Sequence, residues 1–240
     1  MKKLLVLAVA LGISQPVMAG SIDLSKLLGA SQQTNFRNLS EDLGSALSYK
    51  AISPAESMGI TGFDLGVEVT RTELAKSASL WKTISGTDLS NLYVPKVHVT
   101  KGLPLDIDIS AFASAVPTTG ISLIGGELKY AFLPGSIALP AIAVRGSITK
   151  LSGVNKLTFD TKGVDLSISK GLAMFTPYAG VGQVWVNSTP DASLGLTAES
   201  FTQKKMFVGG NLNFGLTNLA AEYDKTGSAN SFSFKLGFRF

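Results

Sequence analysis

From about residue 60 to the C-terminus the chain is written in period two. The last segment is the clearest: Phe232, Phe234, Leu236, Phe238 and Phe240 alternate with Ser231, Ser233, Lys235, Gly237 and Arg239. Successive side chains of a strand point to opposite faces, so this segment has one apolar and one polar face. Phe63, Leu65, Val67 and Val69 repeat the pattern against Asp64, Gly66, Glu68 and Thr70, and Leu105, Ile107 and Ile109 do so against Asp106, Asp108 and Ser110. The alternation predicts ten strands, at 60–71, 91–100, 105–113, 120–132, 138–150, 157–169, 173–187, 203–215, 218–225 and 230–240. Most exceed the five or six residues usual in soluble sheets and match the 9–11 that a tilted strand needs to cross a bilayer. Their connections are read as alternating between short, at 101–104, 133–137, 170–172 and 216–217, and longer on the opposite side.

Composition narrows the alternatives. The 240 residues include no cysteine, which excludes disulfide scaffolds and thiolate zinc sites. Only 16% are charged and mean hydropathy is +0.28, the reverse of the disordered signature. Met1 to Gly20 reads as a secretory signal: Lys2-Lys3, an apolar run from Leu4 to Ile13, Pro16, then Val17 and Ala19 at the cleavage subsites, with cleavage expected after Ala19. Of 21 basic residues, Lys2 and Lys3 belong to that signal, leaving 19 against 17 acids and no basic run. No nucleic-acid partner is expected. Two uncharged stretches, 109–126 and 171–190, are interrupted by turn residues and glycines and suit no membrane helix.

Taken with the export signal, the final strand SFSFKLGFRF resembles the C-terminal assembly signal of Gram-negative outer-membrane β-barrel proteins, with Phe240, Phe238 and Leu236 as the residues that carry it. The resemblance implies an all-β, closed, antiparallel up-and-down transmembrane barrel in an outer membrane. Its partners would be membrane lipid and, during biogenesis, the barrel-assembly machinery. Ten strands are expected, with twelve the alternative if residues 43–52 and 76–84 were also strands, because bacterial barrels favour even counts. The barrel would occupy 58–240.

Residues 20–57 do not alternate. Phe36, Leu39, Leu43 and Leu47 lie at helical spacing, and Ser40 before Glu41-Asp42 reads as an N-cap, which predicts a short helix over 38–49. This segment either plugs the lumen or lies at the periplasmic mouth.

If the apolar faces meet lipid, the polar faces line the lumen. They supply a charge network of Asp64, Glu68, Lys96, His98, Asp106, Asp108, Glu127, Lys129, Arg145, Glu222, Lys235 and Arg239, with Asp165 and Asp224 beside them. So many long charged groups would fill a ten-stranded interior, so a general open porin is not expected. Barrel closure should pair 60–71 with 230–240, setting Asp64 near Arg239 and Glu68 near Lys235. His98, the sole histidine, falls opposite Asp106 or Asp108 across the predicted hairpin; a histidine–aspartate pair can act as a general base, but the expected role is structural. No metal-ligand spacing, phosphate loop or cofactor motif is present, so neither cofactor nor enzymatic activity is expected.

Three functions are compatible with this sequence. The leading one is a structural or narrow transport role for a small or hydrophobic solute whose identity the sequence does not specify. An adhesin or receptor would act through loops 72–90 and 188–202, and a membrane hydrolase would use His98.

Overall fold

The computed structural model describes residues 24–27, 31–86, 88–116 and 121–240. The signal segment 1–19 and the turn residues 117–120 lie outside the described residues. Ten strands form a closed barrel in which each pairs antiparallel with its neighbours in sequence, and the last pairs with the first. They are β1 (Phe63–Glu73), β2 (Asn91–Leu103), β3 (Ile107–Val116), β4 (Ile121–Leu133), β5 (Ala141–Ser152), β6 (Leu157–Ser169), β7 (Phe175–Pro190), β8 (Glu199–Phe214), β9 (Thr217–Thr226) and β10 (Ala229–Arg239). Each of the ten expected segments overlaps one of these strands.

The two faces separate as the alternation requires. Outward positions expose large apolar side chains, among them Val67 (40% exposed), Ile148 (61%) and Phe234 (53%), while inward Thr70, Thr149 and Ser233 are buried. Exposed aromatics mark one rim, with Tyr130, Phe132, Phe175, Phe214, Phe238 and Phe240 near the strand ends where β1 starts and β10 finishes. Tyr93, Trp185, Tyr223 and Phe232 lie towards the opposite rim. Paired aromatic girdles around an apolar band are the signature of a membrane-spanning barrel. The rim holding the tight 104–106 and 215–216 turns and the C-terminus is the inner, periplasmic one.

The loops depart from the expected alternation in length. On the inner side, 134–140 is longer than three connections of the outer side, at 117–120, 153–156 and 227–228. Two outer loops remain long, 74–90 and 191–198, the second shorter than the expected 188–202 because β7 runs to Pro190 and β8 starts at Glu199.

The seam has the expected register, with Asp64↔Arg239 and Glu68↔Lys235 as opposed residues. Its inward hydroxyls pair across the strands, Thr70 with Ser233 at 2.9 Å and Thr72 with Ser231 at 2.9 Å. Phe63 and Phe240 finish the ladder, each N–H donating to the other's carbonyl at 2.8 and 3.0 Å. Closure removes the open edge that the hydrocarbon would penalise.

Two helices complete the fold. α1 (Gln32–Leu47) starts six residues earlier than expected, with Ser31 as its N-cap; Ser40 is mid-helix and buried, its hydroxyl donating to Ser188 Oγ at 2.8 Å. Residues 43–52 and 76–84 are not strands: the first is the end of α1 and the extended chain below it, and the second is largely α2 (Ala78–Ser85). Pairing β1 directly to β10 leaves no place for either. Replacing outward Val67 or Ile148, both near strand centres, by Lys should each destabilise the barrel by about 2–4 kcal/mol. Urea unfolding in lipid vesicles, followed by heat-modifiable gel mobility, measures this.

Candidate functional site: a luminal strap and the apolar chamber above it

Among the described residues, the N-terminal segment from Phe36 to Met58 lies inside the barrel. α1 sits in the outer half with its apolar stripe, Phe36, Leu39, Leu43 and Leu47, buried against inward Leu92, Val94, Leu123 and Val186. From Ser48 the chain leaves the helix and descends through the inner half in extended form until β1 begins at Phe63. Irregular backbone at membrane depth must find polar partners within the protein. The wall charges supply them. Arg145 donates to the carbonyls of Ser53 (2.8 Å) and Pro54 (2.7 Å), and Lys129 to those of Pro54 (3.2 Å) and Glu56 (2.6 Å). In the other polarity, Glu222 accepts from Ile52 N–H at 3.2 Å, Ser169 Oγ from Ala55 N–H at 3.0 Å and Asp108 from Met58 N–H at 3.0 Å. Ile52 is held at a φ of 42°, an unusual conformation for a β-branched residue, where Glu222 grips its N–H.

The same charges pair with one another. Six buried ion pairs are present among the described residues: Lys235–Asp64 (3.0 Å), Lys96–Glu68 (3.8 Å), Lys129–Asp108 (2.8 Å), Arg145–Glu127 (3.3 Å), Lys205–Asp165 (2.8 Å) and Lys50–Asp224 (2.5 Å). Several sequence-based expectations are corrected here. Lys235 faces Glu68 in register, yet its ammonium reaches diagonally to Asp64, and Glu68 turns to Lys96. Arg239 lies at the inner rim, half-buried, and belongs to none of these pairs. Asp106 lies in the β2–β3 turn, where it accepts from Ser57 Oγ at 3.1 Å. His98 stands opposite Phe112, not an aspartate, and its Nε2 hydrogen-bonds the Tyr49 hydroxyl at 2.9 Å. The hairpin turns at 104–106 and not at 101–104, which displaces each β2 residue's partner by five positions and sets Asp108 opposite Gly102.

Two cations were missed by the sequence reading. Lys205 shares inward parity with Asn211 on β8 and was legible on that ground. Lys50 lies in non-periodic sequence, and nothing marked it. Lys205 reaches Asp165 across an entire strand, since β7 lies between β6 and β8. The residue between them in register is Gly182, opposite Asp165 on one side and Lys205 on the other. A Cβ at Gly182 would land on Asp165 Oδ1. Only glycine leaves the ion pair room to pass over β7.

Over the outer mouth, α2 closes down on α1. Asp42, fully buried, accepts from the N–H groups of Lys76 (2.9 Å) and Ser77 (2.7 Å) and from Ser77 Oγ (2.8 Å), holding the start of α2. Trp81 and Ile84 of α2 turn inward and are wholly buried. Glu41 accepts from Arg37 at 2.7 Å and also pairs with Lys76, while Arg37 reaches Glu199 on β8 at 3.0 Å. Beneath this latch is a cavity of about 50 Å³, lined by leucines of α1, by Trp81 and by apolar side chains of β2 and β4. By volume it holds about three or four waters, but it offers them few polar partners and is therefore dry.

The class follows from this geometry: a transmembrane β-barrel of the Gram-negative outer-membrane type, its lumen occupied by its own N-terminal segment. The chain is similar to a loop-deletion form of the outer-membrane protein OmpT of Vibrio cholerae, at 16% identity and a TM-score of 0.33, over 62% of this chain and 54% of that one. It thus spans about half that protein's length. It is also similar to the translocator domain of the autotransporter NalP from Neisseria meningitidis (10% identity, TM-score 0.42, 88% and 100% covered). A third similarity is to OprG from Pseudomonas aeruginosa (8%, 0.34, 78% and 99%). No protein-family model and no curated protein sequence matches the chain.

Two predictions test the arrangement. Gly182→Ala should cost about 1–3 kcal/mol through overpacking, whereas Gly146→Ala, where a Cβ meets nothing within 4 Å, should be neutral; urea midpoints compare them. The mouth latch should depend on pH. Partial burial disfavours charge on Glu41, but hydrogen bonds from Lys76 and Arg37 outweigh it and hold the carboxyl below its ordinary range. A depressed carboxyl pKa stabilises the folded state above the unfolded value, and that contribution fades as pH falls through the folded one. A nitroxide on S31C should therefore gain mobility only as pH falls below the ordinary glutamate range, and should already be mobile at neutral pH in Glu41→Gln.

Proposed function

We propose that this barrel is a closed, non-catalytic outer-membrane protein that takes a small hydrophobic compound into the chamber beneath its outer mouth. The observation that carries this reading is the division of the lumen. Its inner half is lined by charged pairs that hold residues 48–62, while its outer half contains the apolar cluster around α1 and retains a cavity beneath α2. A strapped lumen leaves no continuous water column for ions, and a dry apolar cavity favours apolar ligands.

Export is proposed to follow cleavage after Ala19, with Phe240 read by the assembly machinery during insertion. His98 contributes to this reading as a luminal hydrogen-bond partner of Tyr49, not as a base. The adhesin reading has less surface than the sequence offered it, because 72–73, 188–190 and 199–202 are strand and Trp81 and Ile84 face inward.

A ligand that binds only the folded state raises stability, by about 2.7 kcal/mol at a hundredfold excess over Kd. Titrating the refolded protein with linear alcohols and fatty acids should therefore raise its urea midpoint, and Leu43→Arg, which places a charge in the chamber, should abolish the rise. Planar-bilayer recordings of the intact chain should show no stepwise current. Open-pore conductance, or a midpoint that no apolar compound shifts, would refute the reading.

A further inference from the structure

Outside the lumen the cations are unevenly distributed. Four lysines point outward from one wall: Lys150 on β5, Lys162 on β6, Lys204 on β8 and Lys225 on β9, all exposed. Each lies seven to ten residues from the inner end of its strand, so they stand at one level around the barrel. A tilted strand crosses the hydrocarbon in about 9–11 residues, which sets that level at the outer interface. Inward of them the same face is apolar, with Val144, Val164, Leu166, Val181 and Val208 exposed. The strand registers join the four into two couples. Lys162 stands opposite Ile148 and so diagonal to Lys150, and Lys225 stands opposite Met206 and so diagonal to Lys204. Diagonal neighbours on one face are about 7–8 Å apart. Trp185 lies between the couples, directly opposite Lys162 and diagonal to Lys204, whose own partner is Gln183.

None of these four ammonium groups forms an ion pair among the described residues, whereas each buried luminal cation has a carboxylate partner. Among the described residues, Asp160 is the one carboxylate on the outward face of β5 to β9, and Asn187 Nδ2 already donates to it at 3.0 Å. The opposite wall differs. The one outward charge on β2, β3 and β4 is Lys101 at the inner rim, and Arg71 on β1 donates to Asn91 Oδ1 at 3.1 Å with Glu73 two residues on. Snorkelling accounts for a lysine at an interface. It does not account for four at one level of one wall with no acid to balance them. A zwitterionic headgroup brings its own cation and leaves these charges uncompensated, whereas a headgroup charged only by phosphate neutralises them.

We propose that the outward wall from β5 to β9 is a binding surface for anionic lipid of the outer leaflet, with the phosphate headgroup held between the two lysine couples and the acyl chains lying along Trp185 and the valines inward of it. Lipid is the phase this wall faces, and the apolar band begins directly below the lysines. A lysine ammonium is a compact point charge on a flexible stem, so the surface selects for net negative charge more than for headgroup shape. The site is separate from the chamber beneath α2 and stands whether or not that chamber takes a ligand.

Trp185, 41% exposed, reports on its own lipid neighbours, and in the Trp81→Phe chain it is the sole tryptophan. That chain is refolded into equimolar phosphatidylcholine and phosphatidylglycerol vesicles, with dibrominated acyl chains carried first by one lipid and then by the other. The two quenching levels should give phosphatidylglycerol at least a threefold advantage beside Trp185. Lys162→Gln with Lys204→Gln should bring the two lipids to parity, while Lys162→Arg with Lys204→Arg, which keeps the charge, should retain the advantage. Heat-modifiable mobility confirms that each variant is folded. A second reporter, Val97→Trp on β2 in a chain that also carries Trp81→Phe and Trp185→Phe, should show parity. Parity at Trp185, an advantage that survives the charge-removing pair or is lost in the charge-keeping pair, or an equal advantage at position 97 would each overturn the site. So would an advantage abolished by millimolar glycerol 1-phosphate but not by chloride of equal ionic strength, because the surface would then take free phosphate groups and not lipid.

Discussion

Fifteen residues of irregular backbone, 48–62, run through the inner half of a membrane barrel, and the rest of the interior is arranged around their hydrogen bonds. A helix satisfies its own amides and the barrel strands satisfy one another, but an extended chain in a lumen has neither resource. Arg145, Lys129, Glu222 and Asp108 each give one or more hydrogen bonds to this strap. Removing Arg145, Lys129 or Asp108 would leave a buried strap group and a buried counter-ion each short of a partner. Breaking buried pairs in this way typically costs about 3–5 kcal/mol.

That constraint explains why the luminal charges are so many and so evenly matched. Carboxylates and cations on neighbouring strands neutralise each other while lending spare donors and acceptors to the strap. Arg145 serves Glu127, Ser53 and Pro54 at once, a use suited to a guanidinium with five N–H donors. Gly182 belongs to the same logic, since a missing side chain on β7 is what lets Lys205 close on Asp165.

Above the strap the chemistry reverses. α1 brings most of its own backbone satisfied, so the wall there can offer an apolar side at Leu92, Val94 and Leu123, and Gln203 Nε2 donates to the Glu41 carbonyl at 2.9 Å. The chamber and the inward-turned α2 both occur in this half. This division, with the strap below and the apolar cluster around α1 above, is what supports the proposed reading of a closed barrel that takes a small hydrophobic compound.

The alternation of residues 60–240 by itself determined the ten strands of that span, the facing of each and the seam register down to Asp64↔Arg239, because a period of two leaves each side chain a choice of only two faces; excluding two further strands at 43–52 and 76–84 took the direct β1–β10 pairing. Inward parity likewise picked out Glu68, Lys96, Glu127, Lys129 and Arg145. It could not choose partners among them: Lys235 bonds Asp64 diagonally because side-chain reach, not register, selects between acids a few ångströms apart. Nor could periodicity find Lys50 or assign His98 to Tyr49, since both depend on where a non-periodic segment lies inside the barrel. Only the tertiary structure decided that α1 sits in the outer half of the lumen, that Trp81 folds over it, and that Asp42 holds the start of α2. These are long-range packing outcomes between residues distant in the chain, and no local pattern encodes them.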